Sequence, residues 1–443
     1  MFKTLRNAWS IPDLRKKILF TLLIIVIFRI GSVIPVPFLD MTALSQLTFG
    51  GGDAATNSIF AYLNTMSGGA FGNATIFAMG ITPYINSSII MQLLCVAIPA
   101  LERLSKEGED GRKKIATITR YLTVVLGLIQ GTAYFFYLNN QKILTDGVAV
   151  WFAAIVIIMI FTAGTAFMMW LGEQINTKGI GNGISILLFA GIVARLPMTI
   201  YYMFPLNKNI PSYWSMATQY GQIQYYFLVP AFILLFLIVI WVICFMQDAE
   251  RRIPIQYAKR VVGRKMYGGQ SSHMPIKVAL GGVMPVIFAT SILSIPSTIR
   301  AFWTPSAGGF WDGFFRALSP SGWLYIVLEF VLVLAFAYFY TQIQYNPVEM
   351  ANNLKQNNGT IPGIRPGQPT AEFIRKILSR ITLIGALFLS FIAIVPSIFT
   401  MAGNMQNLSM GGTSVIIMVG VAIETVKQME SQMMMRHYRG FLD

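Results

Sequence analysis

The sequence predicts an all-α polytopic membrane protein with ten transmembrane helices, divided into two five-helix halves of opposite orientation. Three observations carry this prediction. Charged residues make up 12% of the 443-residue chain, about half the ~25% of an ordinary globular protein. Apolar residues reach 55% and mean hydropathy is +0.61. So few charges cannot cover a water-facing surface, and most of that surface must face lipid. Finally, ten apolar runs approach the roughly 20 residues that a bilayer core requires.

The runs lie at 18–34, 74–98, 115–138, 148–170, 183–203, 226–246, 277–298, 322–343, 380–399 and 412–428. The first follows Arg15, Lys16 and Lys17 and leads into Val33-Ile34-Pro35-Val36-Pro37 rather than a small-residue cleavage site, so it reads as an uncleaved span. Small or helix-breaking residues punctuate several others: Gly80 and Pro83; Gly179, Gly181, Asn182 and Gly183; Gly281, Gly282 and Pro285; Gly411 and Gly412. Such residues serve close helix packing, or they line a path between helices. Residues 1–205 hold spans one to five, and residues 206–443 hold spans six to ten with two large loops, 247–277 and 344–376.

Alternation of ten helices sorts the loops onto two sides, and the basic residues are unequally shared. One side carries 25 of the 33 Lys and Arg, the other only 4, and the external segment 35–73 carries none. The positive-inside rule then places both termini in the cytoplasm. Topology alone accounts for the basic residues of 1–17 and 99–114. It does not account for Arg251, Arg252, Lys259, Arg260, Arg264 and Lys265, interleaved with Tyr257 and Tyr267. So dense a cluster suits an anionic partner: ribosomal RNA, an acidic protein face or anionic lipid headgroups.

The residues that carry chemistry elsewhere are missing. Cys95 and Cys244 both lie in apolar runs, and His273 and His437 are far apart, which excludes a disulfide framework and any expected metal centre. The glycines at 179–183 lack the Lys-Ser/Thr of a phosphate loop. No enzyme and no cofactor is expected, so energy for transport must come from a partner. Ion-coupled carriers place charges near the midplane. Here the spans offer only Arg29, Glu329 and Glu424 without a cluster. A path without binding charges suits cargo that must not stick, closed by an apolar constriction. The stretch 58–66 is apolar but too short to span, and 67–72 is glycine-rich. It reads as an interfacial loop, the sharper alternative being a half-helix that folds back into the bundle on a glycine hinge.

The run from Thr75 to Leu94 (TIFAMGITPYINSSIIMQLL) resembles the first signature of the SecY family, and that from Trp170 to Leu187 (WLGEQINTKGIGNGISIL) resembles the second. Arg251-Arg252-Ile253, Tyr257-Ala258-Lys259-Arg260, Asn346-Pro347, Ala351 to Lys355 and Pro362 to Gly367 are also similar, and the likeness covers essentially the whole chain. The resemblance implies a bacterial protein-conducting channel in the cytoplasmic membrane, with a central pore between the halves. It implies a pore ring of Ile81, Ile85, Ile184, Leu188, Met284 and Ile417, where 81/85 and 184/188 have the i,i+4 spacing of one helix face. Ile184 falls one turn inside the fifth span, so either that helix begins earlier or the ring is not level. An external plug at about 58–70, with Ile59, Phe60, Leu63, Met66, Gly68 and Gly69, is implied too. So is a lateral gate at Gln92 and Pro285, where the second and third spans meet the seventh and eighth. Arg251, Arg252, Lys259, Arg260 and Arg365 would receive the SecA motor or the ribosome. SecE and SecG small membrane subunits would complete the complex, with signal peptides and nascent chains as cargo. The alternative is a coupled small-solute permease, which would need midplane charge and no large basic loops.

Overall fold

The computed structural model describes residues 2–41, 43–44, 64, 67–145, 147–204, 224–257, 260–262, 265–267, 271–302, 309–318, 322–402 and 412–439. Every expected span coincides with a helix. Short α1 (Phe2–Ser10) precedes α2 (Pro12–Gly31), which begins at a proline, as fits a position whose N–H would be unsatisfied anyway. Then come α3 (Thr82–Ala97), α4 (Pro99–Lys106), α5 (Glu109–Asn140), α6 (Val150–Lys178) and α7 (Gly183–Met203). The second half holds α8 (Gln224–Asp248), α9 (Met284–Phe302), α10 (Phe310–Ala317), α11 (Trp323–Gln344), α12 (Pro347–Gln356), α13 (Gln368–Ala402) and α14 (Gly412–Arg439).

Seven of these stretches are long and apolar enough to cross a membrane unaided. The three remaining spans fall short for local reasons. α2 carries Asp13, Arg15, Lys16, Lys17 and Arg29. α3 has 16 residues and meets α4 at a 103° bend, where Pro99 cannot continue the helix. In α9 the apolar part is Met284–Pro296.

Two expected boundaries are corrected. Residues 74–81 are turns and an isolated bridge, not helix. Gly80 takes a φ of +56°, and α3 starts beyond it with Pro83 in its first turn. Residues 271–277 form a strand, so the seventh helix starts at Met284 rather than 277. By contrast α7 matches its expected 183–203, because Asn182 caps it by accepting from the N–H groups of Ile184 (3.1 Å) and Ser185 (3.4 Å).

The loops gather at two ends. At the basic end Lys17 Nζ donates to Gln432 (3.3 Å), the Ile180 N–H to Thr21 Oγ1 (3.1 Å), and Lys427 pairs with Asp248 (2.6 Å). At the opposite end Val36 bonds Ala74, Asp40 bonds Ile143 and Thr145 bonds Phe38 through their backbones. The halves meet where α9 packs on α3 and α5, and again where α14 packs on α7.

The 247–277 loop is not loop throughout. β1 (Glu250–Tyr257) pairs antiparallel with β4 (Ser271–Lys277), while β2 (Arg260–Val262) pairs with β3 (Lys265–Tyr267). β5 (Gly359–Thr360) adds to the other edge of β1, giving the order β4-β1-β5. Alternation buries Ile253 and Ile255, which join Ile276 and Ile361 with Leu354 of α12 and Ile374 of α13 in a small core of their own.

Close packing in the first half depends on glycine. A Cβ at Gly164 of α6 would collide with the Ile76 carbonyl. Gly164→Val should therefore cost about 1–3 kcal/mol and lower the unfolding temperature of the detergent-solubilised protein. Gly313→Ala in α10, where a Cβ meets nothing within 4 Å, should not lower it, since alanine favours a helix over glycine.

Candidate functional site

Four helices deliver the six expected ring residues near their own N-termini. Ile81 immediately precedes α3 and Ile85 lies one turn on; Ile184 and Leu188 occupy the first turns of α7. Met284 begins α9, and Ile417 is in the second turn of α14. Ile81, Ile85, Leu188 and Ile417 are buried in one apolar cluster, and Ile184 and Met284 pack against it half-buried. That cluster is larger than six residues, for it also takes in Ile24, Phe28, Val286 and Val419. α7 does not begin earlier than expected: Ile184 stays in its first turn, facing Gly172 of α6.

The segment before α3 enters the bundle instead of lying at its surface. Ser67, Gly68, Gly69, Ala70 and Phe71 are all buried. Gly68 abuts the Gly191 backbone, eight residues into the 21-residue α7, and Ile76 lies against Gly164 in the middle of α6. Its backbone groups are satisfied locally. The Gly69 N–H donates to Asn64 O (2.8 Å), Phe71 N–H to Ser67 Oγ (2.9 Å) and Gly72 N–H to Asn64 Oδ1 (2.9 Å), while Tyr134 OH donates to Phe71 O (2.6 Å). Residues 67–71 are therefore buried turns within the bundle and not an interfacial loop, while the half-helix expected over 58–66 lies, apart from Asn64, outside the described residues. Ile59, Phe60, Leu63 and Met66 lie outside the described residues.

Of the expected gate residues, Gln92 is half-buried on α3 and turns its amide to Ser88 Oγ of its own helix (3.4 Å). Pro285 is buried in the first turn of α9.

The basic loops form one unit. Arg251 and Arg252 are exposed on β1, with Arg252 paired to Glu250 (2.7 Å). Exposed Arg365 lies in the turn leading to α13, where its carbonyl accepts from Thr370 Oγ1 (2.8 Å). Pairing of β1 with β5 brings that turn to the same sheet. The backbone of Arg260 is in β2, and Lys259 lies outside the described residues.

Sequence reasoning missed several polar contacts between distant residues. Arg120 Nε of α5 pairs with Glu173 of α6 at 2.8 Å, and Arg29 Nη1 donates to the Gly68 carbonyl at 3.0 Å. Buried Glu329 leaves Oε2 without a hydrogen-bond partner among the described residues. The sequence signal for all three is a lone charge inside an apolar run, which names the residue but not its partner.

Comparisons with known proteins agree in one direction. Residues 75–426 match the SecY family. The chain is 44% identical to "Protein translocase subunit SecY" of Halalkalibacterium halodurans, with the full length of both covered. Its fold is similar to that of a SecY protein whose plug domain is described as stabilising the closed translocation channel and maintaining a membrane seal (TM-score 0.62, 17% identity, 94% of this chain and 92% of that one). It is also similar to the channel of a canine ribosome–channel complex from the endoplasmic reticulum (TM-score 0.60, 17% identity, the same coverage).

The unity of the basic face is open to a direct check. Ile255→Ala removes a buried side chain that joins β1 to Leu354 and Ile361 and should cost about 2–5 kcal/mol within that small core. Limited proteolysis should then cut within 250–277 and 357–367 first, with the helical body intact.

Proposed function

The chain belongs to the SecY family, and on that premise we propose that it forms the passive protein-conducting pore of a bacterial translocase. It passes unfolded polypeptides across the cytoplasmic membrane and releases transmembrane segments sideways into it. The observation that carries this reading is the buried glycine turn at 67–71, folded into the bundle beside an apolar core that holds Ile81, Ile85, Leu188 and Ile417. An apolar neck excludes water and ions when shut and gives a passing chain nothing to bind. Met284, unbranched and flexible, helps it yield around side chains of different size. Residues 58–70 are the plug. The seam of α9 against α3 and α5 is the lateral gate, flanked by Gln92 and Pro285, with 1–205 and 206–443 as the two halves. No observation favours a small-solute permease.

Both termini and the basic sheet face the cytoplasm, because 25 of 33 basic residues belong to that side. Arg251, Arg252, Lys259, Arg260 and Arg365 dock the SecA motor or the ribosome, which supply the energy or the nascent chain. SecE and SecG cover part of the lipid-facing surface, and anionic lipids bind its basic rim.

Replacing Ile81, Ile85, Ile184 and Ile417 together with Ser should hydrate the neck and raise resting ion conductance several-fold in planar bilayers while polypeptide transport continues. Ser at Ile155, exposed on α6, should not; equal and low conductance in both would place the barrier elsewhere. Reversal of Arg251, Arg252, Arg260 and Arg365 to Glu should weaken motor or ribosome binding at least tenfold at low salt, about 1.4 kcal/mol. The loss should shrink as salt screens the interaction. Unchanged affinity would remove the docking assignment.

A further inference from the structure

Two arginines from different helices hold the glycine turn, and nothing in the channel reading gives them a task. Arg29, in the last turn of α2, donates from Nη1 to the Gly68 carbonyl at 3.0 Å. Arg195 of α7 covers the next residue, for a Cβ at Gly69 would lie 3.5 Å from Arg195 Nη1. Both glycines have a left-handed backbone, with φ of +68° and +95°, so no other residue fits there without strain. Gly68 also packs so tightly on α7 that a Cβ would lie 2.9 Å from the Gly191 Cα.

A guanidinium at membrane depth is costly, and long basic side chains near helix ends ordinarily snorkel to the headgroups. Arg29 is placed to do so, yet it turns inward to a carbonyl. Two like charges beside neighbouring residues also repel, so helix stability alone gives no reason for the arrangement. A charge-assisted hydrogen bond is stronger than a neutral one and directional. Aimed at a backbone carbonyl, it does not depend on which side chains the plug carries.

We propose that Arg29 and Arg195 are positioning residues that latch the turn at Gly68 and Gly69 in the closed channel, Arg29 through its bond to the Gly68 carbonyl and Arg195 by covering Gly69. A translocating chain opens the path by breaking that bond and drawing the turn away from Gly191. The inference rests on the reading of 58–70 as the plug of a protein-conducting channel.

The test measures resting ion conductance of the full chain, in its complex as purified, for R29Q, R29K, R195Q and G68A. Deletion of 58–66 and the fourfold Ser variant of the neck serve as references. R29Q should raise conductance toward that of the deletion, with normal accumulation and continued transport of polypeptide. R29K, which keeps one donor, should fall between R29Q and the unaltered protein. Added to the deletion, R29Q should raise conductance no further, an epistasis that a merely structural role would not produce. If R29Q does not accumulate, R195Q decides by the same criteria. Leakage from the deletion together with unaltered conductance in R29Q overturns the latch but leaves the channel reading standing. So does leakage from G68A alone, which would assign closure to the Gly68–Gly191 packing. Low conductance in both reference variants overturns the channel reading and the latch together.

Discussion

Backbone that is not helical, inside an apolar bundle, is the constraint on which the rest of the first half depends. Each unsatisfied N–H or C=O away from water is costly, so irregular chain at membrane depth survives only when enclosed by protein. Between Ser67 and Ile81 the bonds come from nearby carbonyls, from Ser67 Oγ and Asn64 Oδ1, from Tyr134 OH and from residues 34–36. Enclosure demands backbone-to-backbone approach, which explains glycine at Gly164 beneath Ile76 and at Gly191 beneath Gly68. It also shortens α3. A helix that starts at Thr82, already within the bundle, spans its 16 residues in about 24 Å. Ile81 and Ile85 are thereby delivered to the interior, where Leu188 and Ile417 meet them in one core.

How much of this was legible follows from what each signal measures. Hydropathy reports composition, so each of the ten apolar runs fell on a helix, whereas short α1, α4, α10 and α12 carried no such signal. It cannot report hydrogen bonding, so the apolar run 74–81 looked like the first turns of a span although it is turns. Gly80 and Pro83 were the only punctuation. β1 was hidden for the opposite reason. Ile253 and Ile255 alternate as a half-buried strand should, but between Arg251 and Arg260 the pattern is drowned by charge. Its partner β5 lies about a hundred residues away. Partners such as Arg120 and Glu173, 53 residues apart on facing helices, exist only once the helices are packed.

The sheet changes the meaning of the basic loops. As separate loops they are two sources of positive charge, sufficient to orient helices. Joined through β1 and β5 over a core of Ile255, Leu354 and Ile361, they present Arg251, Arg252 and Arg365 from one folded support. A rigid support loses less entropy when charges are matched by a partner than flexible loops do. The same residues therefore count as a sum of charges for orientation and, in the proposed docking role, as a fixed arrangement.

Opening such a channel has to separate packed helices without unfolding them, and the two contacts between the halves are built differently. On the α14 side, Lys17 bonds Gln432 and α1 packs against α14, while the Ile180 N–H is held by Thr21 next to the turn that meets Thr425. On the other side, α9 brings Val286, Ile287 and Phe288 into the same apolar core as Ile85 and Ile89 of α3. In lipid, apolar helix faces are held by packing rather than by exclusion of water, since acyl chains are as apolar as the side chains they replace. Parting the apolar seam therefore exchanges protein contacts for lipid or for an apolar guest helix at small net cost. The α14 side is apolar too, through Leu187, Leu188, Val415 and Ile417, but it adds the bond from Lys17 to Gln432, which parting would break. On the proposal that the α9 seam is the lateral gate, it is the side that opens. An apolar segment of cargo is then the guest that replaces the contacts the open seam loses.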